Sequence, residues 1–68
     1  MNNPLKILIQ VEPRDISYIN KIFEGYDGLA VVTTLNRQEG LIALTVTPET
    51  KIDVLGILYN FPKKIVFL

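Results

Sequence analysis

The sequence predicts an α+β domain, a four-stranded antiparallel sheet with two helices on one face. Three observations carry this. Apolar residues alternate at period two near the start of the chain, then change to a spacing of three and four. Two stretches rich in β-branched residues follow, joined by a short polar connection that ends in glycine. A second helical stretch, opened by proline, then runs into a short apolar segment. With 68 residues there is room for one domain, 1–68, and only a thin core. Cysteine is absent, so no disulfide reinforces that core.

Residues 5–11 read as a half-buried strand. Leu5, Ile7, Ile9 and Val11 point one way, and Lys6, Leu8 and Gln10 the other. Glu12 and Pro13 end it. The fixed φ of Pro13 suits the first turn of a helix, and Asp15 falls where the positive helix end favours a carboxylate. Ile16, Ile19, Ile22, Phe23 and Tyr26 then form one stripe, which predicts a helix over 13–25 with Gly25 and Gly28 at its exit.

Residues 29–35 and 41–47 read as two strands of a hairpin around the polar connection 36–40. Thr47 is placed to cap a second helix, with Pro48 at its first position. Ile52, Leu55, Leu58 and Tyr59 are its expected core stripe. Gly56 inside this helix costs about 1 kcal/mol relative to alanine, which close approach to the sheet would explain. Asn60 is read as a left-handed stop, and Pro62 forbids continuation. Residues 64–68 form the last strand. The order β-α-β-β-α-β, with right-handed crossovers, gives a sheet in the order 4-1-3-2 with both helices on one face, the ferredoxin-like plait. A three-stranded sheet with the last strand paired elsewhere is the rival arrangement.

Composition removes several chemistries. Histidine, cysteine and tryptophan are absent, and Ser17 is the only serine. Zinc sites, thiol redox chemistry and a Ser-His-Asp triad therefore lack their residues. Seven basic residues balance seven acidic ones, so there is no electrostatic footprint for nucleic acid. The densest basic run, Lys63-Lys64, reads as a solvated strand start. No aromatic residue falls on the open sheet face, where stacked bases would need one. The nearest carboxylate pairs, Glu12 with Asp15 and Glu49 with Asp53, sit at helix starts as ordinary dipole partners. Residues 1–6 do not read as a signal peptide and no stretch is long enough to span a membrane. The expectation is a cytoplasmic protein that is not an enzyme, takes no cofactor and binds neither nucleic acid nor membrane.

Two segments carry a resemblance. Val11-Glu12-Pro13-Arg14-Asp15-Ile16-Ser17-Tyr18-Ile19, and the run from Glu24-Gly25-Tyr26-Asp27-Gly28-Leu29 to Leu35, resemble a small bacterial family known only as a domain of unknown function. The resemblance covers nearly the whole chain and implies no activity. The predicted architecture is also similar to ACT-type regulatory domains, which pair through their sheets or edges and bind amino acids near the first strand-to-helix loop. That similarity implies a ligand loop at Pro13, Arg14 and Asp15, with ligand held between subunits. The glycine that admits a ligand in such domains is replaced here by Glu12-Pro13-Arg14.

The remaining candidate is a surface. With both helices on one face, the other face is expected to carry Leu8, Ala30, Val32, Leu41, Ala43 and Val66, with Leu68 at its end. A lone plait should show water a more polar face, so these residues predict an interface between copies of the chain, a homo-oligomer. The functional expectation is a self-associating binding or regulatory module, with an ACT-like small-molecule sensor as the alternative.

Overall fold

A computed structural model describes residues 5–26 and 28–68. Met1–Pro4, at the start of the segment read as lacking signal-peptide character, and Asp27, inside the second family-like segment, lie outside the described residues. The chain runs through β1 (Leu5–Val11), a 3-10 turn (Pro13–Asp15), α1 (Ile16–Glu24), β2 (Val31–Asn36), β3 (Leu41–Val46), α2 (Pro48–Tyr59) and β4 (Ile65–Phe67).

The strands form one antiparallel sheet in the order β2-β3-β1-β4, which counted from the β4 edge is 4-1-3-2. The register puts Ile7 beside Leu44 and Ile9 beside Ile42. These residues share one buried cluster with Ile16, Ile19 and Phe23 of α1 and Val54 and Leu58 of α2. Both helices therefore cover the same face, as period two in β1 and β3 requires.

The two helices are specified differently. In α1 the expected stripe holds: Ile16, Ile19 and Phe23 are buried and Ile22 is half-buried, while Tyr26 lies beyond the helix end and is exposed. The helix starts later than position 13, because Pro13–Asp15 winds as a tighter turn first. In α2 the expected stripe holds at Leu58, which is buried, and Leu55, which packs against the core, and fails at Ile52 and Tyr59. Val54 and Leu58 face the core, whereas Ile52 is 79% exposed and Tyr59 71%. This helix also carries Leu55 and Ile57, so it is apolar on most sides and spacing alone does not choose its inner face. Its ends are better defined. Thr47 Oγ1 accepts from the Thr50 amide at 3.2 Å, and Thr50 Oγ1 accepts from the Thr47 amide at 3.0 Å, a reciprocal cap. Asn60 is not left-handed, with φ −99. It stops the helix through its side chain instead, Nδ2 donating to the Gly56 carbonyl at 2.8 Å.

Gly56 overturns a further expectation. It is exposed, and a Cβ added to it would meet nothing within 4 Å. It does not serve close approach to the sheet. Gly40, which closes the β2–β3 turn, is the glycine that packing demands. Its φ is +73, and a Cβ there would overlap the Val11 carbonyl oxygen. The Val11 amide donates to the Gly40 carbonyl at 3.0 Å, tying the hairpin tip to the end of β1.

Ala30 and Val32 do not lie on the open face. Val32 stands beside Leu44, on the helix side, and both residues pack against the core cluster. The run Val31-Val32-Thr33-Thr34 has no apolar–polar alternation to show which members point inward. A bulge between Thr34 and Asn36 further shifts the pairing with β3.

Candidate functional site

Three places have some claim to function, and each can be built from its residues. The first is the open sheet face. Alternation from the observed register puts Leu8, Ala43 and Thr33 side by side across the three strands β1, β3 and β2. Gln10 stands beside both Leu41 and Val66 on this face. Ala43 is only 3% exposed although no helix covers it, because the larger side chains around it close over a methyl group. Leu8 and Val66 are exposed at 41% and 42%, and Leu41 is half-buried. Of the expected interface residues, Leu8, Leu41, Ala43 and Val66 are thus together on one face. Val31 belongs with them, and the lack of alternation that misplaces Val32 hides it from a reading of the sequence. Lys6, Thr33 and Thr45 share this face and dilute it.

The second place is the loop after β1. Pro13, Arg14 and Asp15 do not converge. Pro13 and Arg14 are exposed, whereas Asp15 is buried at the start of α1, its amide donating to the Glu12 carbonyl at 2.8 Å. A cleft of about 300 Å³ opens beside the loop, lined by Gln10, Glu12, Pro13, Glu39, Lys64 and Val66, with Val11 at its floor. Only Pro13 of the expected trio reaches it. Gln10 Nε2 donates to the Glu39 carbonyl at 2.9 Å, and the Glu39 amide donates to Asn36 Oδ1 at 3.1 Å, which hold the hairpin tip over the cleft. Glu12, Glu39 and Lys64 line it from three separate segments, a grouping that no spacing along the chain announces.

The third place is an open groove of about 850 Å³ on the helix side. Ile22 and Tyr26 come from the α1 end, Ile52, Gly56 and Asn60 from α2, and Phe61 follows α2. Asp53 is the one charged residue in its lining. Phe61 is fixed from behind by an edge-to-face contact with Tyr18 at 5.2 Å between ring centres. On the far side of α2, Tyr59 lies against Phe67 of β4 at 5.1 Å. The only sequence signal for the groove is Gly56, a helix-interior glycine that the folded chain does not need.

Among the described residues no three carboxylates come together where they could hold a metal ion, and no helix is long and apolar enough to cross a membrane.

Comparison with known proteins gives a family. Residues 9–65 match a family model described as Domain of unknown function (DUF4911). The match spans most of the chain, so the protein belongs to this family, a class of small α+β domains by the fold seen here. No curated protein and no solved structure matches the chain.

Proposed function

We propose that the protein is a non-catalytic module that binds a second copy of itself. Within this reading the fold is a ferredoxin-like plait of ACT-like type, in a cytoplasmic bacterial protein that uses no cofactor. One observation carries it: large apolar side chains stay outside on both layers of a 68-residue fold. On the sheet these are Leu8, Val31, Val66 and Leu68, and on α2 they are Ile52 and Tyr59. A thin core without cross-links gains most from covering such surface.

Light scattering over a concentration series tests the reading. A dimer at micromolar concentration is expected, and a monomer at the highest concentration overturns it. The sheet face read from the sequence is probed at Leu8 rather than Ala43. Ala43 is already closed over within one chain, so a glutamate there would disturb the monomer as well. Leu8→Lys places an ammonium on an exposed position, and a dimer that persists in this variant takes the contact off the sheet face.

A second reading, the ACT-like sensor, is favoured by the cleft beside Pro13. Its lining holds both charge types, Glu12 and Glu39 with Lys64, which suit the two charges of an amino acid. Thermal shift against free amino acids tests it. A ligand at about 100 times its Kd adds roughly 2.7 kcal/mol of stability, and no shift from any amino acid removes the reading.

A further inference from the structure

Gly56 poses a physical question that the folded chain does not answer. A helix-interior glycine is unfavourable relative to alanine. Here the backbone is not left-handed, and a Cβ would meet nothing within 4 Å. Gly56 lines the open groove on the helix side, so a side chain at this position would extend into that space. The glycine keeps volume open rather than relieving a clash. At about 850 Å³ the groove has the size of a small-molecule site, and like such sites it joins apolar walls to a few polar groups.

We propose that this groove binds a small amphipathic amine, a compound with one apolar body and one ammonium group. The site is separate from the self-contact and from the cleft beside Pro13, and it depends on neither reading. The walls select the body. Ile22 and Leu29 line the groove from α1 and the segment after it, and Ile57 and Phe61 from α2 and its exit. The ring of Phe61 is held in place by its edge-to-face contact with Tyr18. The polar flank selects the head. Asp53, Gly56 and Asn60 follow one another at spacings of three and four, so they share one side of α2. Asp53 is the one charged residue of the lining among the described residues, and no lysine or arginine lines it there. Asn60 Nδ2 donates to the Gly56 carbonyl at 2.8 Å, a clasp that does not use the amide's acceptor, Oδ1. A carboxylate and an amide oxygen accept hydrogen bonds, which is what an ammonium needs. Tyr26 and Phe61 add aromatic rings, which favour a cation over a neutral head. An anionic ligand would meet Asp53 with like charge and find no cation to pair with.

Phenethylamine, phenethyl alcohol and hydrocinnamate test the assignment, because they carry a positive, a neutral and a negative head on one apolar body. Binding is read from the backbone amide chemical shifts of nitrogen-labelled protein. The amine is expected to shift the Gly56 and Phe61 amides and to bind about tenfold tighter than the alcohol, the worth of one hydrogen bond to a charged group, with hydrocinnamate weakest. Asp53→Asn is expected to bring the amine down to the level of the alcohol. Gly56→Leu fills the groove and is expected to keep the parent's circular dichroism while losing the amine, since nothing inside the chain touches that position. Gly56→Ala is the smaller step, expected to raise the melting temperature and weaken the amine. No amide shift with millimolar phenethylamine overturns the site. Equal binding of the three probes overturns the amine assignment, and so does a preference for the amine that survives Asp53→Asn. Shifts confined to the Glu12, Glu39 and Lys64 amides put the amine in the cleft beside Pro13 and overturn the groove. Parent-like binding in both glycine variants overturns it too.

Discussion

The two helices of this domain are held in place by opposite means. α1 has a clean inner stripe, Ile16, Ile19 and Phe23, but Asp15, the cap residue just before it, makes no capping hydrogen bond through its side chain. α2 has a reciprocal threonine cap at one end and an asparagine clasp at the other, yet apolar residues on most of its sides. Packing chooses the orientation of α1. The start and stop of α2 are chosen by local hydrogen bonds, and its rotation is left to whichever apolar residues fill the core best. A short helix can thus lean on its face or on its ends, and the sequence records the two in different vocabularies.

Mutations can break or sharpen this contrast. The largest expected effect comes from emptying the shared core. Ile19→Ala and Leu58→Ala should each cost about 2–5 kcal/mol in denaturant unfolding, because both are buried under the sheet. If Leu58→Ala were silent, the observed phase of α2 would be wrong. Next is the cap. Thr47→Ala should cost about 1 kcal/mol through loss of the Thr50 amide's acceptor, whereas Thr47→Ser should recover most of it. A loss with serine as large as with alanine would mean that the threonine methyl, not the hydroxyl, is what α2 needs. The smallest effect is expected at Ile52. Ile52→Ala should change monomer stability by less than about 0.5 kcal/mol, measured at concentrations low enough to exclude dimer. A loss the size of that for Leu58→Ala would restore Ile52 to the core stripe.

The same contrast explains which parts of the fold are legible in the sequence. Alternation in Leu5–Val11 and Leu41–Val46 is sharp enough to assign the inner residues of both central strands. Thr47 and Pro48 announce where α2 begins, Pro13 marks the tight turn that leads into α1, and the polar turn ending in Gly40 announces the hairpin. The illegible places are those without contrast. Val31-Val32-Thr33-Thr34 offers two apolar and then two polar positions, so Val32 and Ala30 read onto the wrong face. α2 is apolar nearly all round, so Ile52 competes with Val54 for the core stripe and wins on spacing alone. The grooves are illegible for another reason. Their walls come from segments far apart in the chain, and only the odd glycine at position 56 hints that one exists.

The edge position of β2 has a consequence for the chain while it is still unfolded. From Leu29 to Asn36 there is no charge, no proline and no glycine, and half of the residues are β-branched. Folded, one side of this strand is paired with β3, and a bulge between Thr34 and Asn36 breaks the regularity of that edge strand's pairing. Unfolded, the same eight residues are a window suited to stacking against identical windows on other chains. β3, its partner, follows immediately after a four-residue turn, so the hairpin can close as soon as both strands have left the ribosome.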